Sequence, residues 1–184
     1  LAGRGIGYVE CPMLGGVDEA AAGRLFLLVS GEAADIARVS ELLPAFGRAV
    51  REVGGPGTAS LFKTLQNGLG LVQLCGIAEV LSIVERAGGD AAVFVEVVGE
   101  GGGMAATPLF RAKAPMMLLE NPPVKGSLHI GAKDSRLAAA LACETGIDAR
   151  LLAISADLFA RASAAGLASE DIAAVRRVIG TTDA

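Results

Sequence analysis

The chain reads as an α/β remnant over residues 1–56 followed by an all-α domain over residues 57–184. Three observations predict this. Leu25-Phe26-Leu27-Leu28-Val29-Ser30 is a continuous apolar run, the pattern of a strand buried on both faces. Shorter strand-like runs lie on either side of it with one helical segment between, so the order is strand, strand, helix, strand, as at the edge of an α/β sheet. From Gly57 onward the strand patterns stop, and helical segments follow one another with only glycine and proline breaks.

Taken in order, Gly7-Tyr8-Val9-Glu10-Cys11-Pro12 is a short strand ended by proline. Met13-Leu14-Gly15-Gly16 is a turn, and Asp18 to Ala22 a short helical turn. Gly31-Glu32 ends the buried strand. Ala34 to Leu43 is helical because Ile36, Val39, Leu42 and Leu43 share a face, with Pro44 and Gly47 closing it. Ala49 to Val53 is another strand, and Gly54-Gly55-Pro56-Gly57 breaks the chain. Ala59 to Arg86 then forms one helix of about 28 residues, about 42 Å long at 1.5 Å per residue. Gly88-Gly89 terminates it, and Asp90 caps a helix over Ala91 to Val98. Gly99-Glu100-Gly101-Gly102-Gly103 is a flexible break, and a short helix runs from Thr107 to Arg111. Pro115, Pro122 and Pro123 make the region to His129 irregular. Helices follow over Ile130 to Glu144, Leu151 to Ala165 and Asp171 to Ile179, the first two stopped by Gly146 and Gly166.

Composition excludes several functions. The 184 residues are 52% hydrophobic and 20% charged, with a net charge of −4 and no Trp. That balance leaves no basic footprint for nucleic acid and no Lys/Arg cluster for an anionic membrane surface. Leu69 to Val84 comes closest to a bilayer-spanning length, but Gln73, Gly76 and Glu79 interrupt it, so it reads as a buried helix with no membrane role. Cys11, Cys75 and Cys143 are widely spaced and His129 is the single histidine, a poor metal-ligand set. Reduced thiols and the absence of a secretory pattern point to the cytoplasm. The opening Leu1-Ala2-Gly3-Arg4 reads as the interior of a longer protein.

The chemistry concentrates at Lys63 and Asn67. At i and i+4 they share one face of a helix otherwise built from Ala, Leu, Val, Ile and Phe. A lysine in apolar surroundings has a depressed pKa and exchanges a proton, and an amide one turn away fixes a hydroxyl or carbonyl beside it. The same residues also suit a plainer role, with Lys63 snorkelling to solvent and Asn67 capping or packing. Gly99 to Gly103 fails as a dinucleotide loop, because Met104, Ala105 and Ala106 follow where the last glycine of the fingerprint belongs. It reads instead as a helix-terminating loop.

Several segments together resemble the β-hydroxyacid dehydrogenase family, which includes 3-hydroxyisobutyrate dehydrogenase, tartronate semialdehyde reductase and, more distantly, 6-phosphogluconate dehydrogenase. The family's substrate loop, D-A-P-V-S-G-G then A-x-x-G, is similar to Glu10 to Gly16 followed by Ala20-Ala21-Ala22-Gly23. Its catalytic segment G-x-G-x-x-x-K-x-x-N-N is similar to Gly57 to Asn67, with Gln66 for the first Asn. A-E-x-L is matched by Ala78 to Leu81, K-D-x-x-L-A by Lys133 to Ala138, and G-x-x-x-x-D-x-x-A by Gly166 to Ala174.

The resemblance implies the C-terminal strands of a Rossmann-like NAD(P)-binding domain over 1–56 and a complete helical domain over 57–184. It implies hydride transfer between NAD or NADP and a small β-hydroxyacid or its semialdehyde. Lys63 would be the general acid/base and Asn67 would orient the reacting oxygen. Leu14, Gly15 and Gly16 would form the substrate loop, Leu14 standing where the family has a serine that contacts the carboxylate. Losing that hydroxyl donor should change substrate choice. Lys133 would lie near the nicotinamide or substrate, with Asp134 securing the start of its helix.

The family's G-x-G-x-x-G turn, which binds the pyrophosphate, does not occur here. The expectation is therefore a fragment, inactive alone, whose apolar helix supports a homodimer or homotetramer. Two other readings remain: a non-catalytic helical dimerisation module, and an imine-reductase-like enzyme, a family that usually has Asp or Tyr where Lys63 stands.

Overall fold

The structure, a computed structural model, describes residues 2–180; Leu1 and residues 181–184, which the sequence reading includes in its two domains, lie outside the described residues. The chain divides into two compact units, 1–66 and 67–184. The division falls inside a helix, a little beyond the Gly54–Gly57 turn at which the sequence changes character.

In the first unit, β1 (Val9–Glu10) and β2 (Met13–Leu14) pair antiparallel with β3 (Leu25–Gly31), in register Glu10 to Ser30 and Met13 to Leu27. Pro12 lies between them, and its carbonyl accepts from Leu28 N–H at 3.0 Å. β4 (Gly47–Gly54) runs parallel along the other edge of β3, after the crossover helix α2 (Ala33–Val39). Met13-Leu14 was expected as a turn. It becomes a strand because the edge of β3 offers unpaired backbone groups beside it, and the turn is deferred to Gly15 and Gly16.

β3 is buried almost throughout, as its apolar run predicts, and Leu25, Leu27, Val29, Ile36 and Leu43 form the core. α2 stops at Val39 rather than Leu43, and Leu43–Ala45 forms a 3-10 turn. Pro44 lacks the N–H that a continued helix needs. A five-residue helix, α1 (Val17–Ala21), fills the connection between β2 and β3.

α3 (Thr58–Arg86) is 29 residues long and begins in the first unit. In the second unit it is followed by α4 (Ala91–Gly101), α5 (Pro108–Lys113), α6 (Leu128–Glu144) and α7 (Arg150–Ala162). Their core contains Leu74, Leu81, Phe110, Leu128, Phe159 and Val175. Gly68 lets α6 and α7 approach α3 closely. A Cβ there would sit 2.6 Å from the Ala138 Cβ and 3.0 Å from Leu152 Cδ2.

Asp90 caps α4 as expected, accepting from Ala92 N–H at 2.8 Å. The expected break at Gly99 comes later. α4 continues to Gly101, and the chain turns only where Gly102 and Gly103 take φ of +76° and +80°. The final helix, expected over Asp171 to Ile179, is a 3-10 segment over Ile172–Val178. Apolar spacing over so few residues does not separate the two helix types.

α3 is long and apolar enough to cross a membrane, with a mean hydropathy of 1.6 over its most apolar window, despite the polar interruptions that argued against this in the sequence. Leu71, Leu74, Cys75, Ala78 and Leu81 nevertheless lie in the protein core. About a third of that window, 33%, is buried inside the protein.

Candidate active site

The predicted site residues fall into two groups, one in each unit. In the first, β2 delivers Leu14, half-buried, into the turn at Gly15 and Gly16. Gly15 has φ of +129°, and a Cβ there would lie 3.0 Å from both Glu19 Cβ and Leu25 Cδ2, so glycine is required on conformational and steric grounds. The Gly16 N–H is exposed but already has a partner. It donates to Glu19 Oε2 at 2.8 Å, and this bond is the main reason that the Glu19 carboxyl is held below the usual carboxylate range. This backbone donor of the predicted substrate loop thus already holds a carboxylate of the chain itself. The spacing of Gly16 and Glu19, N-cap to N3, is the sequence signal for this pairing.

Lys63 lies half-buried on α3, just beyond the first helical turn. That turn is tied to the sheet. Ala59 N–H donates to Ser30 Oγ at 3.0 Å, Ser30 Oγ–H donates to Glu10 Oε2 at 2.9 Å, and Ser60 N–H donates to the same oxygen at 3.2 Å. Partial burial works to raise the Glu10 carboxyl, but hydrogen bonds from Ser30 and from the Ser60 and Gly57 backbone outweigh it and hold it below the usual range. Ser30 was hidden at the end of an apolar run, and only the strand register places it beside Glu10.

In the second unit, Asn67 and the Lys133-Asp134 pair meet. Asn67 Nδ2 donates to Asp134 Oδ2 at 2.8 Å, and Asp134 Oδ1 lies 2.8 Å from Lys133 Nζ. A carboxylate only accepts, so the amide nitrogen of Asn67 faces it and Oδ1 is left to accept from another group. Asp134 is mostly buried and Lys133 about half exposed. Asp134 does not secure the start of α6, as expected. It lies well inside that helix, which begins at Leu128.

The start of α6 is secured by Asp171 and its neighbours. Leu128 N–H donates to Glu170 O at 2.8 Å and His129 N–H to Ala168 O at 3.0 Å. Asp171 is itself fully buried and paired with Lys113, a residue that nothing in the sequence pattern marks. Among the described residues, no group of three His, Cys, Asp or Glu side chains is placed to hold a metal ion.

Comparison with known proteins identifies the family and the fold. The family model described as NAD-binding of NADP-dependent 3-hydroxyisobutyrate dehydrogenase matches residues 57–179, and that of the NAD binding domain of 6-phosphogluconate dehydrogenase matches residues 1–55. The chain is 26% identical to 2-(hydroxymethyl)glutarate dehydrogenase of Eubacterium barkeri over 95% of its own length and 58% of that enzyme's. It shares the fold of 3-hydroxyisobutyrate dehydrogenase from Salmonella typhimurium, with a TM-score of 0.86 at 24% identity, covering 97% of this chain and 62% of that one. It is also similar to the Mycobacterium tuberculosis 3-hydroxyisobutyrate dehydrogenase solved with L-serine, with a TM-score of 0.73 at 26% identity over 94% of this chain and 61% of that one. The chain thus spans about three-fifths of the length of these relatives. With two adjoining family models covering nearly all of it, the chain belongs to the β-hydroxyacid dehydrogenase family, joining strands of the Rossmann-like NAD(P)-binding domain to the helical C-terminal domain.

Proposed function

We propose that this chain carries the proton-transfer and substrate-holding residues of an NAD(P)-dependent oxidoreductase that interconverts a small β-hydroxyacid and its semialdehyde. The observation that supports this best is the hydrogen bond from Asn67 to Asp134, because it joins two motifs that the sequence marks separately. The residues present suit the substrate side of a nicotinamide cofactor: a lysine, an oriented amide and glycine N–H groups. They do not suit its pyrophosphate. The first turn of α3 is already bonded to Glu10 and Ser30, and β3 enters α2 through Gly31 and the acidic Glu32. Activity therefore belongs to a protein of the relatives' length.

When bound, the nicotinamide supplies or accepts the hydride. Lys63 Nζ gives its proton to the developing alkoxide in reduction, and as a neutral amine takes the hydroxyl proton in oxidation. Asn67 orients the reacting oxygen by donating the second N–H of its Nδ2, the first being held by Asp134. Lys133 contributes positive charge on the cofactor side. Gly15 and Gly16 hold the substrate carboxylate once it displaces Glu19 from the Gly16 N–H, and Leu14, in place of a hydroxyl donor, favours substrates with an apolar group at that point. The helical unit exposes Leu69, Val80 and Ile83 on α3 and Val93 and Val97 on α4, which suits association into a homodimer or homotetramer. Sedimentation velocity should then show no monomer at micromolar concentration. The free thiols of Cys11, Cys75 and Cys143 suit a reducing cytoplasm.

Fluorescence titration with NADH and NADPH, followed by assays with 3-hydroxyisobutyrate, L-serine and 2-(hydroxymethyl)glutarate, tests the reading. Saturable binding with turnover of one of them supports it; binding of neither nucleotide by the full-length protein sinks it. Glu19→Ala gives a finer check. Freeing the Gly16 N–H should lower the KM for a carboxylate substrate several-fold with little change in kcat. A raised KM would mean that Glu19 shapes the loop rather than competing for it.

A further inference from the structure

We propose that Glu10 is a positioning residue, clamping the first turn of α3 to the strand that leads into the glycine loop and so keeping Lys63 in register with that loop. The inference rests on the acid/base role proposed for Lys63. Its basis is the set of bonds at the start of α3. The preceding residues Gly54, Gly55, Pro56 and Gly57 offer no side chain able to cap the helix. The capping comes from the sheet. Glu10 Oε2 on β1 accepts from Ser60 N–H at 3.2 Å, and Ser30 Oγ on β3 accepts from Ala59 N–H at 3.0 Å. Ser30 Oγ–H donates to Glu10 at 2.9 Å, so the two caps form one connected unit.

A carboxylate at this end of a helix is favoured by the helix dipole and by charge-assisted hydrogen bonds. Ser60 and Lys63 are three residues apart, so they share a helix face with a rise of about 4.5 Å between them. On the other side, Glu10 is separated from β2 only by Cys11 and Pro12, and β2 ends at Leu14, where the loop begins. One side chain thus holds together the segment that would carry the substrate carboxylate and the helix that carries the proton donor. Fully buried Ser30 gives the clamp a fixed base. A misplacement of about 1 Å between reacting groups can cost on the order of 100-fold in rate.

The test compares Glu10→Ala, Glu10→Asp, Ser30→Ala and the Glu10→Ala/Ser30→Ala double variant in the full-length protein. The substrate is whichever of 3-hydroxyisobutyrate, L-serine and 2-(hydroxymethyl)glutarate the unaltered protein oxidises fastest. Three quantities are read: amide hydrogen exchange in the segment 57–66, kcat and KM, and the primary deuterium isotope effect with substrate deuterated at the carbinol carbon.

Glu10→Ala should speed exchange at Ala59 and Ser60 and lower kcat about 10- to 100-fold. KM should hardly change and the isotope effect should rise, because the chemical step becomes slower relative to release. Glu10→Asp should recover most of the loss. The double variant should be little worse than Glu10→Ala, since both changes open one clamp. If Glu10→Ala does not fold, Glu10→Gln is read the same way.

A kcat lowered only in proportion to the folded fraction, with exchange in 57–66 unchanged, would overturn the proposal, as would unchanged exchange and kcat. Loss of activity in Lys63→Ala with normal Glu10→Ala overturns the clamp alone. Full activity in Lys63→Ala overturns the acid/base reading beneath it, and no turnover by the unaltered protein overturns both.

Discussion

Lys63→Ala is expected to lower kcat by roughly 10²- to 10⁴-fold, the usual contribution of a positioned general acid or base. The loss should fall on the chemical step. Nicotinamide affinity should be retained, because no part of the proposed role uses Lys63 to hold the cofactor. Lys63→Arg separates charge from proton transfer. Arginine keeps the positive charge but stays protonated at any accessible pH, so it cannot take a proton from a hydroxyl. Oxidation of a β-hydroxyacid should therefore fall nearly as far with Arg as with Ala. Single-turnover kinetics with saturating NAD+ or NADP+ would separate the steps. If Lys63→Arg oxidised substrate at the normal rate, Lys63 would act as a fixed charge and the proton would come from elsewhere.

Asp171→Ala should be the most damaging single change to the helical unit, by about 3–5 kcal/mol. The carboxylate is fully buried and accepts five hydrogen bonds from four groups. Lys113 Nζ lies 2.7 Å from Oδ1 and 2.9 Å from Oδ2, the Lys125 and Gly126 N–H groups donate at 2.8 and 3.1 Å, and Ala173 N–H donates at 3.0 Å. Removing it strips acceptors from an ammonium and three backbone donors at once, each of which carries its own desolvation cost. Lys113→Met should cost less. It leaves Asp171 with its three backbone donors, and a thioether chain fills most of the space. Urea denaturation reads both, as a lower midpoint at unchanged slope. A loss below about 1 kcal/mol in Asp171→Ala would show that water replaces the carboxylate at little cost, and that the buried pair is not what secures this region.

The strongest signals in the sequence were those that depend on one segment alone. β3 was legible because five apolar residues in a row need no partner to be recognised, and α3 because its helical pattern runs so long. β2 was not legible. Two residues make a strand only because β3 presents an edge to them, and nothing local encodes that edge. The candidate site divides in the same way. Lys63 and Asn67 stood out as polar residues on an apolar helix. The link from Asn67 to Asp134 crosses 67 positions and exists only in the folded unit. Ser30 looked like the polar end of a strand, nothing in the sequence pattern marked Lys113, and Glu19 was marked by spacing that the turn reading passed over.

The bonding around the start of α6 also sets an order of events in time. The amides of Leu128 and His129 are satisfied by carbonyls of Glu170 and Ala168, Ile172 N–H donates to Gly126 O at 2.8 Å, and Ser127 makes no side-chain cap. During synthesis these partners are made after α6 itself. Until the segment around residue 171 has left the ribosome, α6 has an unfinished beginning and Lys113 has no counter-ion to be buried with. The beginning of α6 is thus completed only after the segment around residue 171 has been made.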